Sequence, residues 1–423
     1  MSEKVLFANA RPGRPATLEE YMANGGYEAL RKTLRERQPG EVGEIVTASG
    51  LLGRGGAGFP TGAKWKAVPD SAPHPRYVVP NTDEMEPGTF KDRLLVNTDP
   101  HLIIEGIILT AYAVRASRGI FFIRPSYEQD AQLIEAELAR AREAGFLGKN
   151  IQASDFSFDI SVHRSGGRYI CGEASALIQA ITGYRPNPKK IPGVFETERG
   201  LWGYPTVINN AETIGCIAPI LRKGPAWFKG LARTAGGAGT KLYQVSGRVV
   251  KPGCYELPIG TPLREVIENH GAGMLPGLEF KACLPGGAST AFLPREYLDV
   301  EMDFEPMKKI GSRLGTGAII VFDRETCLVG ATLNLLAFFV RESCGWCTPC
   351  REGLPYMHDL LQRIENGEGE EEFIPRLRAM VKSMRHAYCA FAMGAVEPVR
   401  GLLEHFEDEV REHISQRKCP FKH

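Results

Sequence analysis

Three closely spaced cysteines near the end of the chain are the strongest chemical signal in the sequence. Cys344, Cys347 and Cys350 stand in C-x2-C-x2-C spacing within the segment RESCGWCTPCREG. Such a triplet can hold zinc, form a redox-active dithiol or bind three corners of an iron–sulfur cluster. Zinc ribbons usually carry two C-x2-C pairs separated by about 15–20 residues, and a dithiol needs only two thiols. The spacing therefore favours an iron–sulfur cluster.

A cubane cluster bound by this triplet needs a fourth thiolate from elsewhere in the chain. Bacterial ferredoxins place it at the end of the pattern C-x2-C-x2-C-x3-C-P, but Leu354 and Pro355 occupy those positions here. Two downstream cysteines remain as candidates. Cys419 precedes a proline but lies in a terminal tail that we expect to fray, whereas Cys389 lies between two helix-like segments. We predict Cys389 as the fourth ligand.

A glycine-rich segment near the start, GLLGRGGAGFPTGAKW, is the second signal. Gly53, Gly55 and Gly58 satisfy the dinucleotide pattern G-x-G-x-x-G, but a helix-like segment precedes them where that motif requires a strand. Lys64 does not follow a glycine, so the segment is not a Walker loop either. A plain tight turn explains the glycines. Alternatively, their N–H groups form a nest that an anionic or flat ligand approaches, and Lys64 adds a positive charge.

An acidic loop, NTDEMEPG, follows the short apolar strand RYVVP. Ligands in α/β sheets bind at the carboxyl ends of strands. The side chains of Asn81, Asp83, Glu84 and Glu86 suit hydroxyl and amide groups, such as a ribose, a ribityl chain or a carboxamide. A solvated turn built by Asn, Asp and Pro-Gly is the simpler alternative.

A second glycine-rich turn precedes the helix-like segment ASALIQAITG. Tyr169, Gly172 and Glu173 lie in it, and backbone N–H groups at a helix start suit a phosphate or a flavin oxygen. Cys171 has no histidine paired with it by motif, so we predict a buried thiol rather than a nucleophile. A last polar group binds a ligand through paired amides or caps a helix; it comprises Asn209, Asn210 and Thr213.

The elements that position these residues follow from the hydrophobic pattern. RYVVP, GIFFIR and DFSFDISVHR are predicted strands separated by helical segments, and this alternation predicts an α/β fold with a mostly parallel sheet covered by helices. Further on, KLYQVSGRVVKPGCYELPIG predicts a hairpin around Lys251-Pro252-Gly253 within a small α+β unit. From about Cys327, four helix-like segments with short links predict a bundle.

Size and charge limit the possible functions. With 423 residues the chain is expected to form two to four domains. The formal net charge is +1 and the charges are well mixed, which gives no electrostatic footprint for nucleic acid or an anionic membrane. No apolar run near the cysteines approaches the roughly 20 residues of a membrane span, and the start lacks the apolar core of a signal peptide. Since a cluster moves one electron at a time, a flavin is its natural partner.

Five collinear motifs carry a family resemblance: GRGGAGFPTGAKW, NTDEMEPGTFKDR, RYICGEASAL, INNAET and ESCGWCTPCREGLP. Over essentially its whole length the chain resembles the NADH-binding flavoprotein subunit (51-kDa type) of bacterial respiratory complex I. The resemblance implies an NADH dehydrogenase that transfers hydride from NADH to FMN and passes single electrons to a [4Fe–4S] cluster and on to partner subunits. The alternative is the diaphorase subunit of a soluble NAD-reducing hydrogenase or NAD-dependent formate dehydrogenase.

The resemblance also implies a set of site residues. It needs no acid–base residue, because the flavin itself receives the hydride. The cluster ligands implied are Cys344, Cys347, Cys350 and Cys389. The NADH-binding residues implied are Phe59, Glu84 and Glu86. The FMN-binding residues implied are Gly53, Gly55, Gly56, Lys64, Asn81, Asp83, Tyr169, Gly172, Glu173, Asn209, Asn210 and Thr213.

The domain order and the assembly follow from the same resemblance. It implies an N-terminal helical segment with the glycine loop (1–70), a Rossmann-like FMN/NADH domain (71–237, together with the 50–66 loop), a β-grasp (ubiquitin-like) domain (238–327) and a four-helix cluster domain (328–423). The expected partners are a small thioredoxin-like [2Fe–2S] subunit and a large multi-cluster iron–sulfur subunit. The expected place is the cytoplasmic side of the cell membrane, in a peripheral arm without direct membrane insertion.

Two departures from the family pattern fall on the NADH side. Ala174 stands where the family usually has a second acidic residue after Cys-Gly-Glu. The segment KKIPGVFE (189–196) replaces a K-P-P-F-P stretch, which affects the assignment of Lys190 or Phe195 to adenine. Ala174 also motivates a rival from another class, a zinc-stabilised scaffold that no longer catalyses.

Overall fold

The structure, a computed structural model, describes residues 3–11, 13–189 and 193–421. The chain divides into two compact units. The first unit comprises Met1–Met85, Phe90–Leu242 and Glu256–Gly260. The second unit comprises Glu86–Thr89, Tyr243–Tyr255 and Thr261–His423. The four-domain division expected from the sequence stays a prediction.

A four-stranded parallel sheet forms the centre of the first unit. Its strands are β1 (Tyr77–Thr82), β2 (Arg118–Ile123), β3 (Asp159–Arg164) and β4 (Thr206–Asn210), in the order β3-β2-β1-β4. All three pairings are parallel, which confirms the predicted α/β class. The hydrophobic pattern does not reveal β4, because its apolar run, Val207-Ile208, is only two residues long before the two asparagines.

Helices cover this sheet, and α6 is the most deeply buried of them. Asp99 caps α6 by accepting from the backbone N–H of Leu102, and Pro100 takes the first helical position, where its missing N–H costs nothing. The helices are α1 (Leu18–Ala23), α2 (Glu28–Glu36), α3 (Pro39–Ala48), α4 (Thr61–Lys66), α5 (Lys91–Thr98), α6 (Pro100–Ala113), α7 (Glu128–Glu143), α8 (Ala174–Ile181), α9 (Ala211–Gly215), α10 (Ile217–Lys223) and α11 (Pro225–Gly230).

In the described residues, no single helix is both long enough and apolar enough to cross a membrane. Helices α5 and α6 pass that test only when they are taken together, and the pair is bent by 100°.

A mixed five-stranded sheet lies in the middle of the chain, in the order β6-β5-β9-β7-β8. Its strands are β5 (Thr240–Gly247), β6 (Gly253–Pro258), β7 (Phe280–Leu284), β8 (Leu293–Pro294) and β9 (Ala318–Asp323). Strands β5 and β9 pair in parallel, whereas β7 pairs antiparallel with β8 and β9. The neighbouring β5 and β6 confirm the predicted hairpin. Short helices α12 (Leu263–Glu265) and α13 (Phe304–Lys309) accompany the sheet.

The C-terminal part of the second unit is helical, as predicted, but the number of helices is larger. The helices are α14 (Leu328–Glu342), α15 (Leu354–Glu365), α16 (Phe373–Ser383), α17 (Phe391–Ala395), α18 (Glu397–His405) and α19 (Glu407–Gln416). The predicted fourth helix is broken at Phe406, whose φ of −136° is not helical. The expected fraying of the terminal tail is wrong: Cys419 is buried, only 4% exposed.

Candidate functional site

The carboxyl ends of β1 and β4 meet at one edge of the parallel sheet. Asn81 pairs in register with Asn210. Strands β2 and β3 extend the sheet on one side of β1, and β4 lies on the other. The strand order therefore reverses between β1 and β4, which is where open α/β sheets bind their ligands.

The glycine loop packs directly against the end of β4. The backbone N–H of Gly53 donates to the carbonyl of Phe59 over 2.8 Å and closes the loop. The N–H of Arg54 donates to Oγ1 of Thr213 over 2.8 Å. A Cβ at Gly55 would lie 3.2 Å from Cβ of Asn210, closer than ordinary packing allows. The sequence therefore uses glycine to bring backbone N–H groups against the strand end.

Helix α4 follows the loop, and two of its side chains donate hydrogen bonds to β4. Lys64 Nζ donates to the carbonyl of Ile208 over 2.9 Å. Trp65 Nε1 donates to Oδ1 of Asn209 over 3.0 Å. Burial lowers the pKa of Lys64, and the Glu196 carboxylate partly opposes this. Lys64 thus supplies a partly buried cationic donor beside the glycine loop.

The turn that precedes α8 is tied to β1. Asn81 Nδ2 donates to the carbonyl of Gly172 over 3.2 Å. Glu173 caps α8, since its Oε2 accepts from the N–H of Ala176 and from the hydroxyl of Ser175. Cys171 is fully buried, and burial raises its pKa, which confirms the buried thiol expected from the sequence.

The acidic loop after β1 uses most of its side chains locally. Ser165 Oγ donates to Oδ1 of Asp83 over 2.7 Å, which joins the loops after β1 and β3. Glu84 is only 5% exposed and accepts from the backbone N–H groups of Asp92 and Arg93. Burial, and next the Asp92 carboxylate, raise the pKa of Glu84 to about 7. Glu84 therefore holds the start of α5 in this structure.

Behind this edge lies a buried charge network that sequence reasoning missed. Lys91 Nζ lies 2.7 Å from Asp92 Oδ1 and 2.9 Å from Glu212 Oε2, and it donates to Asn210 Oδ1 over 2.8 Å. Lys241 Nζ contacts the same Glu212 oxygen at 3.1 Å. Burial lowers the pKa of Lys91, but the Asp92 and Glu212 carboxylates outweigh it and raise the pKa overall. Lys91, Asp92 and Glu212 stand within the motifs GTFKDR and INNAET, but nothing in their spacing indicates an ion-pair network.

The residues gathered at this edge fit FMN. They offer the backbone N–H groups of a glycine loop, side-chain amides at two strand ends and one ammonium group. Two threonine hydroxyls, Thr61 Oγ1 and Thr82 Oγ1, are buried and have no hydrogen-bond partner in the described part of the chain. Phosphate, ribityl hydroxyls and a flat ring need this mixture of donors and open glycine backbone.

The residues that the resemblance implies for NADH are divided between the two units of the chain. Phe59 is 54% exposed, and its ring centroid lies 6.0 Å from Lys64 Nζ. Glu86 belongs to the second unit, where its Oε1 accepts from the N–H of Ser289 over 2.6 Å. Phe195 is exposed, and Lys190 lies outside the described residues.

The cysteine triplet begins immediately after α14. Cys344 and Cys347 lie in the non-helical link, and Cys350 lies in a π-helical turn, Pro349–Gly353, that leads into α15. Burial, and next the nearby thiols of Cys347, Cys389 and Cys344, raise the pKa of Cys350 to about 12. All three of these thiols lie close enough to Cys350 to influence its titration, and four thiols are the donor set that a [4Fe–4S] cluster needs.

Three family models match separate parts of the chain. Residues 46–219 match the model described as the Nuo51 FMN-binding domain. Residues 242–292 match the SLBB domain model. Residues 330–413 match the iron–sulfur binding region of NADH-ubiquinone oxidoreductase-F. The first and last models contain the two sites described above.

Similar proteins cover the chain almost completely. The NADH-quinone oxidoreductase F subunit 2 of Rhizobium meliloti (strain 1021) is 45% identical over 100% of both chains. The F subunit of the same enzyme in Escherichia coli (strain K12) is 46% identical over 95% of this chain and 91% of its own. Structures of NAD+-reducing [NiFe]-hydrogenase, air-oxidised and H2-reduced, align with TM-scores of 0.82 and 0.83 at 33% and 34% identity. They cover 96% of this chain and 67% and 68% of the hydrogenase chain. The chain belongs to the family of NADH-quinone oxidoreductase F subunits.

Proposed function

We propose that the protein is the electron-input subunit of an NADH:quinone oxidoreductase, which oxidises NADH at FMN and sends the electrons through a [4Fe–4S] cluster. One observation carries the proposal. The first unit has a sheet edge whose residues fit FMN, and the second unit has three further thiols close to Cys350. A flavin and a cluster in one chain join two-electron to one-electron chemistry.

The residues at the sheet edge bind and orient. The glycine loop and Lys64 offer donors to phosphate and flavin oxygens. Asn81, Asn209 and Asn210 offer amides from adjacent strand ends. When bound, FMN supplies the conversion between hydride transfer and single-electron transfer. No residue has to move a proton in the hydride step, so the task of this chain is to hold the reacting rings in stacking geometry.

The partners and the location are part of the proposal. Two aromatic side chains beside the thiols are exposed to solvent. Trp346, between Cys344 and Cys347, is 62% exposed, and Tyr388, next to Cys389, is 41% exposed. Aromatic residues are enriched where subunits dock. We assign this surface to the large multi-cluster subunit, with a thioredoxin-like [2Fe–2S] subunit as the second partner, in a peripheral arm at the cytoplasmic face of the membrane.

Spectroscopy of the anaerobically purified protein tests the cofactor content. We expect flavin absorption bands, together with the broad absorption of an iron–sulfur cluster. Dithionite should bleach this broad absorption, and NADH should lower it by reducing the cofactors. The reason is that both proposed donor sets belong to this one chain. A spectrum with neither flavin bands nor bleachable absorption would contradict the proposal and favour a zinc-stabilised scaffold.

A soluble hydrogenase or formate dehydrogenase remains the second candidate function. It is favoured by the likeness to the NAD+-reducing [NiFe]-hydrogenase structures. Affinity purification from the native host separates the two assemblies. Membrane subunits in the purified complex support the quinone reductase, whereas a NiFe or molybdenum subunit supports the soluble enzyme.

Replacing Ala174 with glutamate tests the NADH side of the site. Ala174 is the first residue of α8, next to the cap Glu173. A carboxylate there is stabilised by the helix N-terminus by about 0.3–1 kcal/mol, but it adds negative charge beside the nucleotide site. We expect the Ala174→Glu variant to change the KM for NADH or the rate at which the reduced flavin reacts with oxygen.

The matched control is Ala139→Glu, an exposed position on α7, which should leave both quantities unchanged. Ferricyanide reductase measurements at varied NADH concentration provide the readout. Identical kinetics for Ala174→Glu and the unmodified protein would show that position 174 does not influence NADH.

A further inference from the structure

Four metal-ligating side chains meet at a point apart from the cysteine triplet. They are Cys327, Glu365, His413 and Cys419, and their ligand atoms all lie within 4.8 Å of one another. They come from four segments: the N-cap of α14, the last residue of α15, the last turn of α19 and the tail beyond it. Convergence of separate segments on one point is typical of a structural metal site.

The separations match tetrahedral coordination. Cys327 Sγ lies 3.3 Å from Glu365 Oε2 and 3.3 Å from His413 Nε2. His413 Nε2 lies 3.3 Å from the same Glu365 oxygen. Zinc bonds of about 2.0–2.3 Å give tetrahedral edges of about 3.3–3.8 Å. Three of the four atoms therefore already have the spacing of a ligand set around one ion, and Cys419 Sγ lies within 4.8 Å of each of them.

The surroundings orient these side chains as outer partners orient metal ligands. His413 Nδ1 donates to the carbonyl of Glu409 over 2.7 Å, which turns Nε2 toward the other groups. The backbone N–H of Gly330 donates to Cys327 Sγ over 3.1 Å. Glu409 is itself held by Lys281 Nζ at 2.7 Å. Glu365, His413 and Cys419 are buried and Cys327 is half-buried, so most of the ligand atoms are shielded from water.

We propose that these four side chains bind one structural Zn²⁺ ion. The ligand set is two thiolates, one imidazole and one carboxylate, which are all ligand types that zinc accepts. Four protein ligands fill the tetrahedron and leave no open position for substrate. The ion fastens the C-terminal tail to the first turn of α14, the helix that ends just before the cysteine triplet.

A disulfide between Cys327 and Cys419 is the competing use of this cluster. It would engage the two thiols alone and would not require a histidine and a carboxylate at the same point. The convergence of all four groups favours the ion. Mass spectrometry distinguishes the two states, since a disulfide removes two hydrogens from the intact chain.

The experiment begins with the complete protein, purified anaerobically from zinc-supplemented medium with its flavin and iron. Elemental analysis should give about one zinc per chain in addition to the iron of the cluster. Zinc-edge X-ray absorption should show two sulfur ligands at about 2.3 Å and two nitrogen or oxygen ligands at about 2.0–2.2 Å. This measurement needs no variant, so it does not depend on whether a variant folds.

Variants then assign the ligands. Cys419→Ser and His413→Gln should each lose most of the zinc and keep the iron and flavin content. The matched control Cys283→Ala removes a fully buried thiol from β7 of the same unit and should keep the zinc. The inference is overturned if the complete protein holds no zinc, if Cys327 and Cys419 are found as a disulfide, or if zinc persists at full occupancy in Cys419→Ser. If the protein proves to bind no flavin, the zinc measurements still test this inference independently.

Discussion

Replacing Cys389 with serine should remove the [4Fe–4S] cluster and leave the flavin in place. Cys389 lies between the 3₁₀ turn Met384–His386 and α17, and its thiol, like the other two of the triplet, raises the pKa of Cys350. Its side chain is buried. We expect the iron content to fall by at least about tenfold, because a cubane needs four ligands.

Two activities separate this effect from general damage. Electron delivery to quinone in the assembled complex should fall with the iron content. NADH oxidation by ferricyanide, which takes electrons from the flavin directly, should persist. Cys283→Ala serves as control, since it removes another buried thiol of the second unit and should keep the cluster. If Cys389→Ser keeps its full iron content and an unchanged low-temperature electron paramagnetic resonance spectrum, Cys389 is excluded as the fourth ligand.

Replacing Lys91 with methionine should destabilise the first unit more than any surface change. Lys91 is 1% exposed and sits between the carboxylates of Asp92 and Glu212. Without its ammonium group these carboxylates are buried with too little positive charge. Breaking a buried ion pair by removing one partner costs about 3–5 kcal/mol. FMN content should fall as well, because Lys91 also fixes the amide of Asn210.

Urea denaturation followed by circular dichroism measures the loss of stability, and flavin fluorescence after denaturation measures the FMN content. The matched control is Lys32→Met, an exposed lysine in α2, which should change the free energy of unfolding by no more than about 0.5 kcal/mol. A Lys91→Met variant as stable as Lys32→Met would show that the network contributes nothing to folding.

The sequence predicted the parts of the fold whose signals are local. Apolar runs identified β1, β2 and β3, and helical periodicity identified α14 and α15. The triplet and the glycine loop were visible because their spacing is itself the signal. Strand β4 was missed although it carries Asn209 and Asn210, since two apolar residues do not distinguish a strand from a loop.

Features that depend on distant contacts were not predictable. Lys91 and Glu212 are more than a hundred positions apart in sequence, and nothing local shows that one neutralises the other. Cys419 was expected in a frayed tail because position in sequence alone suggested it. Its burial depends on α14, α15 and α19, whose arrangement only the folded chain reveals.

The contact between the glycine loop and Thr213 also has a consequence for how the protein is made. It joins positions 159 residues apart, and β4, the strand beside it, is the last of the four in the chain. A ribosome must therefore release about half of the polypeptide before the flavin edge can close. Contacts this far apart in sequence form slowly. Cofactor loading should then be a late step of biosynthesis, and nascent chains that stop before Thr213 should not retain FMN.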